Sequence, residues 1–174
     1  MLAAADCLYT TAEVHQAVDR LATEITEQLA DSNLLVLTIM QGGLITAGQL
    51  LPRLGFPLQI DYIHASRYAG GTQGGELRWI VKPSCPLAGR SLLLIDDIHD
   101  EGLTLEAISH DCRQAGASEI HSAVLVNKRH ERKQQLQADF AGLEVPDRYV
   151  FGFGMDYKGY LRNAAGIYAV NEHA

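Results

Sequence analysis

Four apolar residues in a row, Leu92–Ile95, run without a break into two adjacent carboxylates, Asp96 and Asp97. An unrelieved apolar run of this length fits a strand buried on both faces, which occurs in parallel sheets with helices on either side. The turn after the run is expected to lift the acids to the carboxyl end of the sheet, where open α/β folds bind ligands. Asp100, Glu101, Gly102, Leu103 and Thr104 follow. Gly102 can take positive φ at no steric cost, and Thr104 is predicted to cap the next helix. Loop N–H groups and a helix N-terminus would then form an anion site beside a row of carboxylates.

The rest of the chain alternates in the same sense. Thr10 and Glu13 have capping-box spacing, and Val14, Val18, Leu21, Ile25 and Leu29 recur at intervals of three and four, predicting an amphipathic helix that ends near Asp31. Leu34–Met40 reads as a second buried strand, broken by Gln41-Gly42-Gly43, with Leu44–Leu51 as the helix after it. Leu58–Ser66 and Glu76–Lys82 read as strands around Arg67–Gly75, a loop with four glycines. Beyond the acidic motif come a helix near Thr104–Gln114, a strand at Ser122–Val126, a polar stretch Lys128–Gly142 expected to be partly helical, and last strands at Tyr149–Phe153 and Ile167–Val170. The pattern predicts an α/β fold with a doubly wound, mostly parallel sheet, in one domain spanning 1–174.

Charge and cysteines narrow the function classes. A net charge of −7 with no basic tract argues against nucleic acid as the main ligand. No apolar run reaches the roughly 20 residues that span a bilayer, so no membrane role is expected. Cys7, Cys85 and Cys112 are scattered and odd in number, as in a reducing cytoplasm. A polyanionic substrate must then be held by a local site, with a divalent metal, and not by the overall field.

Phosphate below and hydroxyls or metal above is what a ribose phosphate needs. An apolar strand followed by acids also describes nucleotide hydrolases, but those require a glycine-rich loop ending in Gly-Lys, and the chain contains no Gly-Lys pair. Adjacent carboxylates repel and raise each other's pKa, so a purely structural role is a poor explanation of Asp96-Asp97.

The string Ser91–Leu105, SLLLIDDIHDEGLTL, resembles the phosphoribosyl pyrophosphate (PRPP) motif of the type I phosphoribosyltransferases. Pro146–Arg162, PDRYVFGFGMDYKGYLR, resembles a signature of the 6-oxopurine branch, the hypoxanthine-guanine phosphoribosyltransferases. That resemblance implies a small hood beside the sheet, Mg²⁺ as cofactor, and PRPP with 6-oxopurine bases as substrates. It implies that Asp96 and Asp97 bind the ribose hydroxyls and that Asp100 is the catalytic acid facing N7 of the purine. Asp100, Glu101, Gly102, Leu103 and Thr104 would cradle the 5′-phosphate. Gln41 and Gly42, in a loop similar to the family's L-K-G-G, would meet pyrophosphate together with Arg162, and the peptide bond before Gln41 can be cis in the family. Lys128 would donate to O6, Tyr149 would stack on the base, and the Val150 backbone would meet its 2-position. Asp156 would hold the metal, with Asp96 and Asp97 near it, and Arg67 and Tyr68 would begin a lid.

The sequence departs from the family at Gln41 (usually Lys), Glu101 (usually Thr), Arg67 (usually Ser) and His99 (usually apolar). Family members are commonly homodimers or homotetramers. Two further readings stay open, a xanthine-preferring 6-oxopurine transferase and a PRPP-sensing regulator with the same fold.

Overall fold

A computed structural model of the chain describes residues 2–67, 77–130 and 137–171. The elements in order are β1 (Asp6–Tyr9), α1 (Thr11–Leu29), β2 (Leu34–Met40), α2 (Gly43–Leu50), β3 (Gln59–Arg67), β4 (Leu77–Val81), β5 (Ser91–His99), α3 (Leu103–Gln114), β6 (Glu119–Lys128), β7 (Phe140–Val145), β8 (Val150–Phe151) and β9 (Ile167–Ala169). Six strands form one sheet in the order β4-β3-β2-β5-β6-β7. All neighbours are parallel except β4, which is antiparallel to β3. The sheet is doubly wound and mostly parallel, as the sequence predicts. β1, β9 and β8 make a separate small antiparallel sheet.

The two faces of the main sheet are covered differently. Val14, Val18, Leu21, Ile25 and Leu29 of α1 pack with Leu34, Val36, Leu93 and Ile95 in one core. Leu105, Ile108 and Cys112 of α3 pack with Leu35, Leu37, Leu92 and Leu94 in the other. Strand residues alternate between the faces, so an unbroken apolar run is what two cores demand. α1 starts where expected: the Thr10 hydroxyl accepts the Glu13 N–H at 3.4 Å, and the Glu13 carboxylate accepts the Thr10 N–H at 2.8 Å. Among the described residues no helix is long and apolar enough to cross a membrane.

The chain runs outward from β2 to β3 in one direction and from β5 to β6 in the other, so the topological switch lies between β2 and β5. There the chain segments leaving the two strands diverge and open a crevice. The Met40–Gln41 peptide bond at the end of β2, beside that crevice, is cis.

Three expectations need correction. The acids do not lie in a turn after the strand, because β5 continues to His99. Its pairing with β2 ends at Ile95, while β6 keeps pairing with it as far as His99–Asn127. One-sided pairing keeps the acids extended, and β2 no longer covers them on the other side. Secondly, α3 starts with Gly102 as its N-cap, at φ +83° and with no side-chain cap, so Thr104 sits inside the first turn. Thirdly, the stretch read as polar and partly helical, Lys128–Gly142, begins with the last residue of β6 and ends in the edge strand β7, while residues 131–136 between them lie outside the described residues.

Candidate active site

Asp96 through Leu105 line one cleft of about 360 Å³ at the carboxyl end of β5. β5 delivers Asp96 and Asp97, the following bend carries Asp100 and Glu101, and Gly102, Leu103 and Thr104 bring the start of α3. Because no side chain caps α3, its first N–H groups remain for a ligand. The Gly102 carbonyl accepts the Glu106 N–H at 2.9 Å, which begins the helix while the left-handed glycine turns the chain into it.

The pyrophosphate-loop candidate reaches the same place from β2. A Cβ built on Gly42 would stand 2.2 Å from an Asp97 carboxylate oxygen, and one on Gly43 would stand 2.5 Å from the Ile95 carbonyl. Two strand ends can approach this closely only where the side chain is hydrogen. The Gln41 side chain points to solvent. From the small sheet, Gly154 closes on the Gly42 carbonyl and Asp97 in the same way, at φ +111°. It is a contact that the sequence reading did not single out.

Arg162 ties the hood to the acids. Its guanidinium donates to the Gly154 carbonyl at 2.6 Å and to Asp156 at 2.7 Å, and it lies 3.8 Å from an Asp97 oxygen. The other Asp156 oxygen accepts the Gly159 N–H at 2.7 Å. Asp156 is therefore joined to the Asp96–Asp97 pair through Arg162 and not by direct contact.

Burial pushes the Asp96 carboxyl well above the ordinary carboxylate range, and repulsion from Asp97 adds to it. Burial also raises Asp97, although the hydrogen bond with Asp96, the charge of Arg162 and the Ile98 N–H pull it back. Asp97 N–H donates to Asp96 at 2.9 Å and Ile98 N–H to Asp97 at 2.8 Å, which fixes both carboxylates without neutralising them. The sign of the effect on stability follows. In the unfolded chain Asp96 ionises near its ordinary value of about 3.9, whereas the folded protein holds the proton to higher pH. Stability is therefore lost as pH rises from that ordinary value through the raised one. Asp96→Asn should raise the melting temperature of the ligand-free protein at neutral pH by about 2–4 °C, the shift that ~1 kcal/mol produces in a chain of this size. The gain should vanish below about pH 4, and a thermal melt at the two pH values measures it.

At the far end of the cleft, Asp100 is gripped on both oxygens. Lys128 Nζ donates to Oδ2 at 2.8 Å, and His130 Nε2 lies 2.5 Å from Oδ1. Partial burial would raise Asp100, but these two hydrogen bonds and their positive charge outweigh it and hold the carboxyl below its ordinary range. Lys128 ends β6 and is nearly buried. His99, also buried, meets Asn127 at 3.3 Å, and Asn127 donates to Glu144 at 2.6 Å, so the neighbourhood of Lys128 is braced by polar side chains.

Comparison with known proteins settles the family. The family described as the phosphoribosyl transferase domain matches residues 5–158. The hypoxanthine-guanine phosphoribosyltransferase of Bacillus subtilis (strain 168) is 33% identical over 157 residues, covering 90% of this chain and 87% of that protein. The chain belongs to the hypoxanthine-guanine phosphoribosyltransferase family. A solved hypoxanthine phosphoribosyltransferase from Staphylococcus aureus superposes on this phosphoribosyltransferase fold with a TM-score of 0.90 at 26% identity, over 97% of this chain and 92% of that one. A solved hypoxanthine-guanine-xanthine phosphoribosyltransferase superposes at 0.86 and 26% identity, over 95% and 96%.

Against the phosphoribosyltransferase signature, the structure brings Asp96, Asp97, Asp100, Glu101, Gly102, Leu103 and Thr104 into one cleft, with Gln41-Gly42, Arg162 and Asp156 at one end and Lys128 at the other. Tyr149 precedes β8 and is 53% exposed, its ring edge-on to Tyr157 at 5.5 Å, while Val150 is buried. The strand read as Tyr149–Phe153 shrinks to Val150–Phe151, because Gly152, Phe153 and Gly154 all take positive φ. Phe151, stacked on Tyr168 at 5.6 Å, and Phe153 are buried, so both belong to the interior. Arg67 is the last residue of β3, and Tyr68 with the remainder of the lid lies outside the described residues. His130 is the site residue that sequence reasoning missed. The available signal was its spacing of two from Lys128, which keeps both side chains on one side of an extended chain.

Proposed function

We propose that the chain, as one phosphoribosyltransferase domain over residues 1–174, moves the 5-phosphoribosyl group of PRPP to N9 of hypoxanthine or guanine. The observation that carries this reading is the Lys128–Asp100 pair at 2.8 Å, in the same cleft as the Asp96–Asp97 carboxylates and the uncapped start of α3. Asp96 and Asp97 accept hydrogen bonds from the ribose hydroxyls, and the backbone from Asp100 to Thr104 holds the 5′-phosphate. Gly42, the Gln41 backbone and Arg162 hold pyrophosphate. Lys128 donates to O6, Tyr149 stacks on the base, and the Val150 backbone meets its 2-position. Arg67 and Tyr68 open the lid, which excludes water. The C1′–O bond to pyrophosphate breaks as the C1′–N9 bond forms, and the N7 proton passes to Asp100.

Mg²⁺ fits the donors present. Among the described residues no three His, Cys, Asp or Glu side chains gather into a cage. Mg²⁺ keeps several waters and takes one or two carboxylates plus substrate phosphates. Asp156 offers a carboxylate on the pyrophosphate side, and the Asp96–Asp97 pair lies across Arg162. When bound, the ion neutralises charge on the departing pyrophosphate.

The free thiols of Cys7, Cys85 and Cys112 support a cytoplasmic setting. Exposed Ile60, Tyr62 and Ile80 on β3 and β4 support a homodimer or homotetramer, which light scattering would measure.

Incubation with PRPP, Mg²⁺ and each of hypoxanthine, guanine, xanthine and adenine tests the reading. Nucleoside 5′-monophosphates should form from hypoxanthine and guanine; exclusive use of xanthine, or no product from any base, would overturn it. The same assay serves Gln41. Because the loop acts through its backbone, Gln41→Ala should change kcat/KM for PRPP by no more than several-fold. A side chain that held pyrophosphate directly would instead be worth about 10–150-fold, the range for a hydrogen bond to a charged group. Gln41→Lys, which restores the family's cation, should tighten pyrophosphate inhibition.

A further inference from the structure

Both oxygens of Asp100 are occupied before any base arrives, and the two occupants are not equivalent. The Lys128 side chain is 11% exposed and ends in a flexible ammonium, whereas the His130 side chain is 4% exposed. Lys128 carries its three N–H donors on one ammonium, so turning it toward O6 of a base loosens its hold on Asp100 Oδ2. His130 has no role assigned toward the base. An ionised carboxylate only accepts hydrogen bonds, so His130 must carry a proton on Nε2 to make its 2.5 Å contact.

We propose that His130 is a positioning residue that keeps hold of Asp100 Oδ1 when Lys128 turns to the base, so that Oδ2 is the oxygen presented to N7. The inference rests on the base-site reading above and deepens it. A freed Asp100 with no other partner would have two rotatable bonds and an exposed edge to explore, since its side chain is 44% exposed. One fixed oxygen leaves the other aimed. The same exchange prepares the carboxylate for its task. While both partners donate, Asp100 is held below its ordinary range and is a poor base. Departure of Lys128 removes one of those donors and returns basicity at the moment the N7 proton has to be accepted. Among the described residues, the charged and titratable groups near this contact are Lys128 at the end of β6 and Asp100 beyond β5, with His99, Glu144 and Arg129 in the polar chain beside them.

The test is a double-mutant cycle read with steady-state kinetics at saturating PRPP. His130→Ala should lower kcat/KM for hypoxanthine by about 10–150-fold, the range for losing a hydrogen bond to a charged group, while the KM for PRPP stays within about twofold. His130→Gln, whose side-chain N–H₂ can donate to Oδ1, should recover most of the loss. The double variant Asp100→Asn/His130→Ala should fall little below Asp100→Asn alone, because His130 acts through Asp100. The inference is overturned if His130→Ala stays within about threefold of wild type, if PRPP binding falls as far as hypoxanthine use, if His130→Gln is no better than His130→Ala, or if the losses add. The underlying reading fails separately: a silent Asp100→Asn removes the base site itself, whereas a crippled Asp100→Asn beside a silent His130→Ala removes only His130.

Discussion

Hypoxanthine should be used with a kcat/KM about 10⁴–10⁵-fold above that for adenine, because the site is built around a donor that finds no acceptor at position 6 of adenine. Lys128 carries an ammonium with three N–H donors and no acceptor. It can meet O6 of hypoxanthine or guanine, but it would face the 6-amino group of adenine donor to donor. The ammonium is nearly buried, and its other partner, Asp100, is itself needed at N7. With adenine bound, the nearly buried Lys128 ammonium faces a donor in place of an acceptor, which is the expensive outcome for a buried polar group. Lys128→Gln, whose amide can accept as well as donate, should narrow the ratio, and it should do so chiefly by losing activity with hypoxanthine. Steady-state kinetics with both bases on both proteins measure this. Comparable values in the wild type would remove Lys128 from base recognition.

Asp100→Asn should lower kcat by about 10²–10⁴-fold, the usual contribution of a general acid or base, with PRPP affinity close to wild type. The amide keeps the volume and one acceptor, so Lys128 or His130 can still be bonded, but it cannot take up a proton. The split between kcat and PRPP affinity follows from position. Asp100 stands three residues beyond the Asp96–Asp97 pair, at the Lys128 end of the cleft, while Arg162 and Gly42 lie at the pair itself. PRPP binding by calorimetry and turnover by product formation separate the two quantities. Unchanged turnover would leave Asp100 as a structural acid.

The parts of this architecture that were legible in the sequence are those set by local rules. Leu92–Ile95 is apolar throughout because both faces of β5 meet a core, and Thr10 with Glu13 closes a capping box within one turn. The acids of the cleft lie at the end of β5 and in the bend just after it, so their order in the sequence is their order in space. β7 was not legible. Its Gly142 breaks the strand pattern, and the reason is tertiary: a Cβ there would lie 2.8 Å from the Leu125 carbonyl and 3.2 Å from Leu21 on α1. No periodicity in Lys128–Gly142 announces that a helix crosses so closely. The length of β5 was hidden for a related reason, since its last residues stay extended through pairing with β6 on one side only. Thr104 had the right chemistry for a cap, but Gly102 starts the helix by taking φ +83°, which no propensity of Thr104 reveals. His130 is a single histidine in a polar stretch. Its meaning appears only when the end of β6 comes alongside the bend that carries Asp100.

The central claim is that one cleft joins a ribose-and-pyrophosphate end at Asp96, Asp97, Gly42 and Arg162 to a base end at Asp100 and Lys128, and transfers between them. The most direct measurement quantifies pyrophosphate and nucleotide together, in one reaction with PRPP, Mg²⁺ and hypoxanthine and in a second lacking the base. Equal amounts of pyrophosphate and inosine 5′-monophosphate, and almost no pyrophosphate without hypoxanthine, are what this account predicts. Pyrophosphate released at a similar rate in the absence of the base would mean that the cleft hydrolyses PRPP and does not transfer it, and would contradict the account.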